Sequence, residues 1–190
     1  MARGYINGEV SKDYMSIYYN STIHDLENHG STVPLYFGSL RNTFEYGPLE
    51  FSFNISYQLG HYFMRTSYNN SRMVLDGVGH LDYAKRWRKP GDERTTDVPV
   101  FQYPINYVAD YFYNFSSALV EPAGQIKLRD IQLSYNLSGL KKRFLNRASI
   151  YGYAANVMTL WRANKLDIDP EFGYNSPDPL AISFGINLKF

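Results

Sequence analysis

Apolar and polar residues alternate along much of the chain with the period of a β-strand. The clearest run is Leu49 to Phe63. Leu49, Phe51, Phe53, Ile55, Tyr57, Leu59 and Phe63 share one face, and Glu50, Ser52, Asn54, Ser56, Gln58 and Gly60 share the other. His61 is the main exception. Tyr36 to Tyr46 alternates in the same way, with Tyr36, Gly38, Leu40, Phe44 and Tyr46 against Ser39, Arg41, Thr43 and Glu45; Asn42 is the polar residue on the apolar face. Gly47-Pro48, between the two runs, signals a tight turn. A third strand is expected over 125–137. Ile131, Leu133, Tyr135 and Leu137 oppose Asp130, Gln132, Ser134 and Asn136, but Ile126 and Leu128 are out of phase with them. A β-bulge near Arg129-Asp130 would restore one apolar face; the alternative is that the strand has already left the membrane there. The fourth strand, 148–158, is the faintest, because Ala, Gly and Tyr occupy both faces. The last, 180–190, sets Leu180, Ile182, Phe184, Ile186, Leu188 and Phe190 against Ala181, Ser183, Gly185, Asn187 and Lys189.

These strands exceed the roughly 5–6 residues usual in globular domains. They match the roughly 9–11 residues of a tilted membrane-crossing strand. Residues 1–35 read as loop. Residues 64–124 form a long loop that carries most of the charge, with Tyr107 to Phe115 as a helix or short strand inside it. Residues 159–179 form a second long loop. Structureless loops of this length argue against a compact domain. Membrane barrels are the exception, since their outer loops are long and their periplasmic turns short. The connections alternate short (47–48), long (64–124), middling (138–147) and long (159–179). This order predicts short turns at the periplasm and a last strand running inward to it. Closing a barrel takes about eight strands, so strands one and five are expected to be open edges. The expected fold class is therefore all-β: an antiparallel transmembrane β-barrel segment of about five strands from a larger barrel, with long extracellular loops.

Composition agrees. Aromatics make up 17% of the 190 residues, with 18 Tyr and 12 Phe, and charged residues only 19%. Tyr and Phe suit strands and apolar–aqueous boundaries. No run approaches the roughly 18 apolar residues of a spanning helix. A net charge of +1 gives no argument for nucleic acid, and Lys141, Lys142 and Arg143 read as a solvated turn. The absence of cysteine excludes thiolate metal sites, disulfides and a cysteine nucleophile. Met1-Ala2-Arg3-Gly4 leads into polar sequence without a secretory signal, so an exported protein is expected to have lost its natural N-terminus here.

Candidate chemistry is sparse. His24 and His29 are five apart and do not share a helix face as a His-Glu-x-x-His zinc site requires. Asp167, Asp169 and Glu171 offer oxygens to calcium, but the EF-hand pattern is incomplete, which favours a solvated loop. Arg86, Trp87, Arg88 and Asp92, with Trp161 in the second loop, offer aromatic platforms beside charges that suit sugar or peptide. The plainer reading is a loop that packs through Trp87 and caps itself at Pro90-Gly91. Arg41, Glu45, Glu50, Lys127, Arg129 and Asp130 are expected to face a barrel lumen, pairing with one another or holding a plug. No set of residues supports catalysis, and no cofactor is called for.

The residues also resemble a known family. Tyr36-Phe37-Gly38-Ser39-Leu40-Arg41-Asn42-Thr43-Phe44-Glu45-Tyr46 is similar to the SusC/RagA family of TonB-dependent outer-membrane transporters of Bacteroidetes. So are the stretches Phe51–Gly60, Arg86–Asp92, Leu128–Leu137 and Phe184–Phe190, and Arg3–Gly8 near the start. The resemblance implies a large barrel with an N-terminal plug, coupling to the TonB complex, a SusD-like surface lipoprotein as partner, and uptake of glycans or peptides. On that basis the chain supplies the last strands of the barrel in the Gram-negative outer membrane. The plug and the TonB-contacting region are missing, and the fragment alone is inactive. Phe184, Ile186, Leu188 and the closing Phe190 resemble a barrel-assembly signal. The competing expectation is a soluble all-β sandwich binding carbohydrate, whose apolar strand faces would pack against a second sheet.

Overall fold

The computed structural model describes residues 4–137, 147–173 and 175–189. In chain order its principal elements are β1 (Gly4–Ile6), β2 (Glu9–Ser11), α1 (Tyr14–Asn20), β3 (Tyr36–Tyr46), β4 (Leu49–Leu59), β5 (Tyr62–Met64) and α2 (Asn70–Asp76). They continue with α3 (Tyr107–Asn114), β6 (Val120–Pro122), β7 (Gln125–Asn136), β8 (Arg147–Arg162) and β9 (Ala181–Lys189). They fall into two units, residues 1–30 with 63–121, and residues 31–62 with 122–190.

The second unit is built on one antiparallel sheet of order β3-β4-β7-β8-β9. Paired residues share a face, so the register can be read as rows across the sheet. One row is Asn42, Phe53, Ile131, Ala154 and Ile182; the next is Phe44, Phe51, Leu133, Gly152 and Phe184. Apart from Asn42, this face is apolar. It is also exposed: Phe184 is 85% accessible, Ile186 66% and Ile182 62%. Ser52, Gln125, Lys127, Asp130 and Ser134 are buried instead. The sheet is thus inside-out relative to a water-soluble protein. A sandwich would cover the apolar face, and here it is uncovered.

Aromatic residues stand at both ends of this face, Tyr57 and Trp161 at one and Tyr46 and Tyr135 at the other. The band between them spans eight residues of β3, about 26 Å along the strand and about 20 Å once tilted. Glycines are overlaid by aromatic rings. The Tyr57 ring covers Gly38, and Phe184 lies where a Cβ on Gly152 would meet it at 3.3 Å. Gly47, at φ 59, supplies the left-handed position of the β3–β4 turn.

Several boundaries differ from the alternation. The strand expected to reach Phe63 ends at Leu59, because Gly60 turns into the left-handed region at φ 75. His61 is then buried beyond the break, and Phe63 belongs to β5. The register of β7 slips at Asn54/Ile55, leaving Arg129 as the extra residue of a bulge at the predicted place. β8 runs on to Arg162 rather than ending at 158. It slips twice against β7 and carries Asn156 at φ 56. Each slip inverts the side-chain phase beyond it; from Ser149 to Ala155, where the register is unbroken, Ala, Gly and Tyr on both faces keep the alternation faint. Leu180 lies outside β9. Phe190 and residues 138–146, including Lys141, Lys142 and Arg143, lie outside the described residues.

The first unit is not featureless loop. β1 and β2 pair through a turn at Asn7-Gly8, with φ 51 and 83. Their length is too short for period two to show. α1 is capped by Asp13, whose carboxylate accepts from Ser16 N at 3.1 Å. α2 starts at Asn69, which accepts from Arg72 N, and stops at the left-handed Gly77. The segment 107–115 resolves as a helix, α3, capped by Asn106.

Candidate functional site

The polar face of the sheet is organised by charge. The register aligns Arg41, Asn54 and Asp130 across β3, β4 and β7. Arg41 Nη2 donates to Asp130 Oδ2 at 3.0 Å, and Asn54 Nδ2 donates to the same oxygen at 3.2 Å. Two rows further, Glu45 and Glu50 sit opposite each other. Neither has an ion-pair partner among the described residues. Of the six residues expected on one face, Arg41, Glu45, Glu50, Lys127 and Asp130 share it, and Arg129 is displaced at the bulge.

A second cluster joins distant segments. Lys127 Nζ donates to Asp169 Oδ2 and to Glu171 Oε2, each at 2.6 Å. Arg129 donates from both terminal nitrogens to Glu171 and from Nε to Ser56 Oγ at 2.6 Å. Lys127 also lies 5.0 Å from the Phe172 ring centroid. These contacts latch the β8–β9 connection onto β7. Hydrogen bonding from Arg129, with Lys127 beside it, outweighs burial and holds the Glu171 carboxyl at about 2. Asp167, fully exposed, accepts from Arg162 at 2.7 Å. The three acids that offered oxygens to calcium are therefore engaged by protein cations. Among the described residues no His, Cys, Asp and Glu group is arranged to hold a metal ion. Trp161, expected in a loop, is a β8 residue opposite Ile126, and its ring lies where a Cβ on Gly124 would meet it at 3.3 Å.

In the first unit, Arg86 stacks over Tyr83 at 3.9 Å and donates to its carbonyl. Trp87 Nε1 donates to Glu93 Oε2 at 3.0 Å, and Trp87 N to the Val98 carbonyl at 3.0 Å. Asp92 accepts from the backbone of Arg88 and Lys89. The Arg88 guanidinium turns back to the Ala84 carbonyl. Arg86, Arg88 and Asp92 thus build the loop, while Trp87 lines a cleft of about 490 Å³ with Tyr5, Phe112 and Phe115.

Sequence reasoning missed the polar core of this unit. Asp82 is buried and accepts from Arg65 at 2.5 Å and from Ser67 Oγ at 2.6 Å. Ser67 meets the buried Tyr113 hydroxyl at 2.8 Å. Burial opposes ionisation of Asp82, but the Ser67 and Arg65 bonds prevail and keep its carboxyl below the ordinary value. Burial pushes the Tyr113 hydroxyl up, and Tyr68 up to about 12. No periodic signal marks these residues. The one cue was an Arg and an Asp inside aromatic, otherwise patternless sequence.

The mostly β, antiparallel architecture, with one exposed apolar face and one charged face, matches the fold of TonB-dependent transporters. The chain is 29% identical over 195 residues to TonB-dependent receptor P26 of Formosa agariphila, an alignment covering 85% of this chain and 17% of that protein. It superposes on the RagAB peptide importer in its open-open state with a TM-score of 0.61, at 20% identity, over 100% of this chain and 20% of the other. The closed-closed state gives 0.58 at 21% identity, over 98% and 20%. No family model matches the chain. The chain spans about a fifth of the length of these relatives. The resemblance to TonB-dependent receptors thus holds in both sequence and fold.

Proposed function

We propose that this chain is part of the barrel wall of a TonB-dependent nutrient importer in the outer membrane of a Bacteroidetes-type Gram-negative bacterium. The inside-out sheet carries the reading. An exposed apolar face with aromatic ends suits lipid, and a buried polar face suits a lumen. Arg41, Glu45, Glu50, Arg129 and Asp130 line the interior and meet one another or a plug. Arg86, Trp87, Arg88 and Asp92 lie in outward loops toward substrate or a SusD-like lipoprotein, and Trp161 sits at the outer aromatic rim. Phe184, Ile186 and Leu188 present the apolar stripe of β9 to the assembly machinery. The cargo is a glycan or a peptide, and coupling to the TonB complex belongs to another part of the protein. The sheet alone does not transport, because β3 and β9 are open edges.

The native absence of cysteine makes the test direct. Single cysteines at Phe184 and Ile182, and at Ser183 and Gln132 on the opposite face, are introduced into the protein in outer-membrane vesicles. A water-soluble maleimide should label positions 183 and 132 and spare 184 and 182, which a lipid-phase reagent should reach. Labelling of 182 and 184 by the water-soluble reagent in intact membranes would overturn the reading.

A further inference from the structure

The Trp87 cleft has a consistent chemistry. Its volume, about 490 Å³, is that of a small-ligand site. Tyr5, Trp87, Phe112 and Phe115 supply aromatic wall, and Asp25, Glu27, Glu93 and Asp97 supply carboxylates. No Lys, Arg or His lines it among the described residues. Beside the lining, His29 Nε2 lies 3.5 Å from the Glu27 carboxylate. Asp25 accepts from the backbone and hydroxyl of Thr22, which hold its carboxyl below the ordinary value, with a smaller contribution from the neighbouring His24. Among the described residues the lining therefore carries acidic side chains and no basic one.

A second feature runs out from the rim. Phe115 packs on Tyr111 at 4.6 Å between ring centroids, Tyr111 meets Tyr18 edge-on at 5.9 Å, and Tyr18 meets Tyr19 edge-on at 5.4 Å. All four rings are more than half exposed, Tyr19 by 72%. Four exposed rings in contact form a contiguous apolar patch of the kind that marks an interaction surface. Rings present negative faces to cations, and a cleft of one sign focuses its field on an approaching ligand of the other.

We infer that the Trp87 cleft and the ring ladder beside it bind a basic, apolar-bearing peptide, with an Arg or Lys side chain in the cleft and the flanking residues along the rings. Acidic peptides and uronic or sulfated sugars are disfavoured at the same place. The inference rests on the importer reading for its biological use and not for the binding itself.

The test uses the full chain in detergent micelles. The chain has two tryptophans, so Trp161→Phe leaves Trp87 as the sole reporter. The probes are two blocked hexapeptides, one alternating Arg and Leu, the other Glu and Leu. The Arg peptide should shift Trp87 emission to saturation, at least tenfold more tightly than the Glu peptide, and should weaken as salt rises. Asp97→Asn with Glu27→Gln should weaken it about fivefold, with an unchanged circular dichroism spectrum showing that the fold is kept. Asp97→Asn alone, at an exposed residue, should weaken it about threefold and serves if the double variant misfolds. Equal binding of both peptides, no saturable shift, or indifference to Asp97→Asn would each overturn the proposal. A chain that passes the cysteine-labelling test yet ignores both peptides sinks the cleft and leaves the importer reading intact. Failure of the labelling with peptide binding preserved does the reverse.

Discussion

Ile182→Lys separates a lipid-facing sheet from a water-facing one. Ile182 lies in the row with Ala154, Ile131, Phe53 and Asn42. Two rows separate it from the Tyr57–Trp161 end and two from the Tyr46–Tyr135 end. It is thus about 13 Å along the strand from either rim, at the middle of the band. In water, a lysine at a residue 62% exposed costs within about 0.5 kcal/mol. At a bilayer midplane the same lysine costs about 2–4 kcal/mol, a factor of roughly 30 to 1,000 in the folding constant. Leu188→Lys provides the depth control. Leu188 pairs with Ala148 near the far end of β8, where the expected cost is about 0–1 kcal/mol. Both variants are measured by urea titration of the protein folded into phospholipid vesicles, followed by tryptophan emission. A cost for Ile182→Lys below 0.5 kcal/mol, or one equal to that of Leu188→Lys, would refute the lipid-facing assignment.

Three further outcomes follow from the charged and buried groups. Lys127→Met leaves Asp169, with only 9% of its side chain exposed, without its cation. It should cost on the order of 2 kcal/mol, discounted for the partial exposure of Glu171, seen as faster hydrogen exchange across residues 163–173. Glu171 is held at about 2 against an ordinary 4.5. Because its folded value is depressed, its stabilisation is complete above 4.5 and lost as pH falls toward 2. Exchange in the β8–β9 connection should therefore stay slow at pH 5 and rise between 4.5 and 2, and Glu171→Gln should flatten that rise. Tyr113→Phe removes a hydroxyl that meets Ser67 at 2.8 Å. It should destabilise the 63–121 segment by about 1–2 kcal/mol, read as earlier cleavage in limited proteolysis.

The fold was legible where the strands are regular. β3 and β9 hold one phase, and their apolar rows could be read directly from alternate residues. β4 kept that clarity until Gly60, where a left-handed backbone ends the pairing and the alternation continues by coincidence to Phe63. β8 was hard to read because Ala, Gly and Tyr occupy both faces of its first half and two slips break the phase of the rest. β7 was intermediate: one slip left two readable halves, so the bulge at Arg129 could be located. The short elements of the first unit were hidden for a different reason. Three-residue strands and seven- or eight-residue helices hold too few periods for a pattern. Their caps, Asp13, Asn69 and Asn106, were the signals available, each an Asp or Asn at a helix start.

The charged sites follow another logic. Lys127, Arg129, Asp169 and Glu171 were all visible in the sequence, but as two groups, one assigned to a lumen and the other to a possible metal. Periodicity places a residue on a face and says nothing about which distant segment meets that face. Asp169 and Glu171 are alternate acids opposite a strand that presents alternate bases, Lys127 and Arg129, one of them at a bulge. The bulge brings Arg129 toward Glu171 while Lys127 stays between both acids. A regular strand with the same residues would send Lys127 and Arg129 to one face at a fixed spacing, about 7 Å apart. Whether Glu171 could then bridge them is what the bulge settles. Removing the extra residue at position 129 should therefore restore the unbroken alternation of β7 and release the connection together, so slow exchange at 163–173 in that deletion would show that the latch does not depend on the bulge.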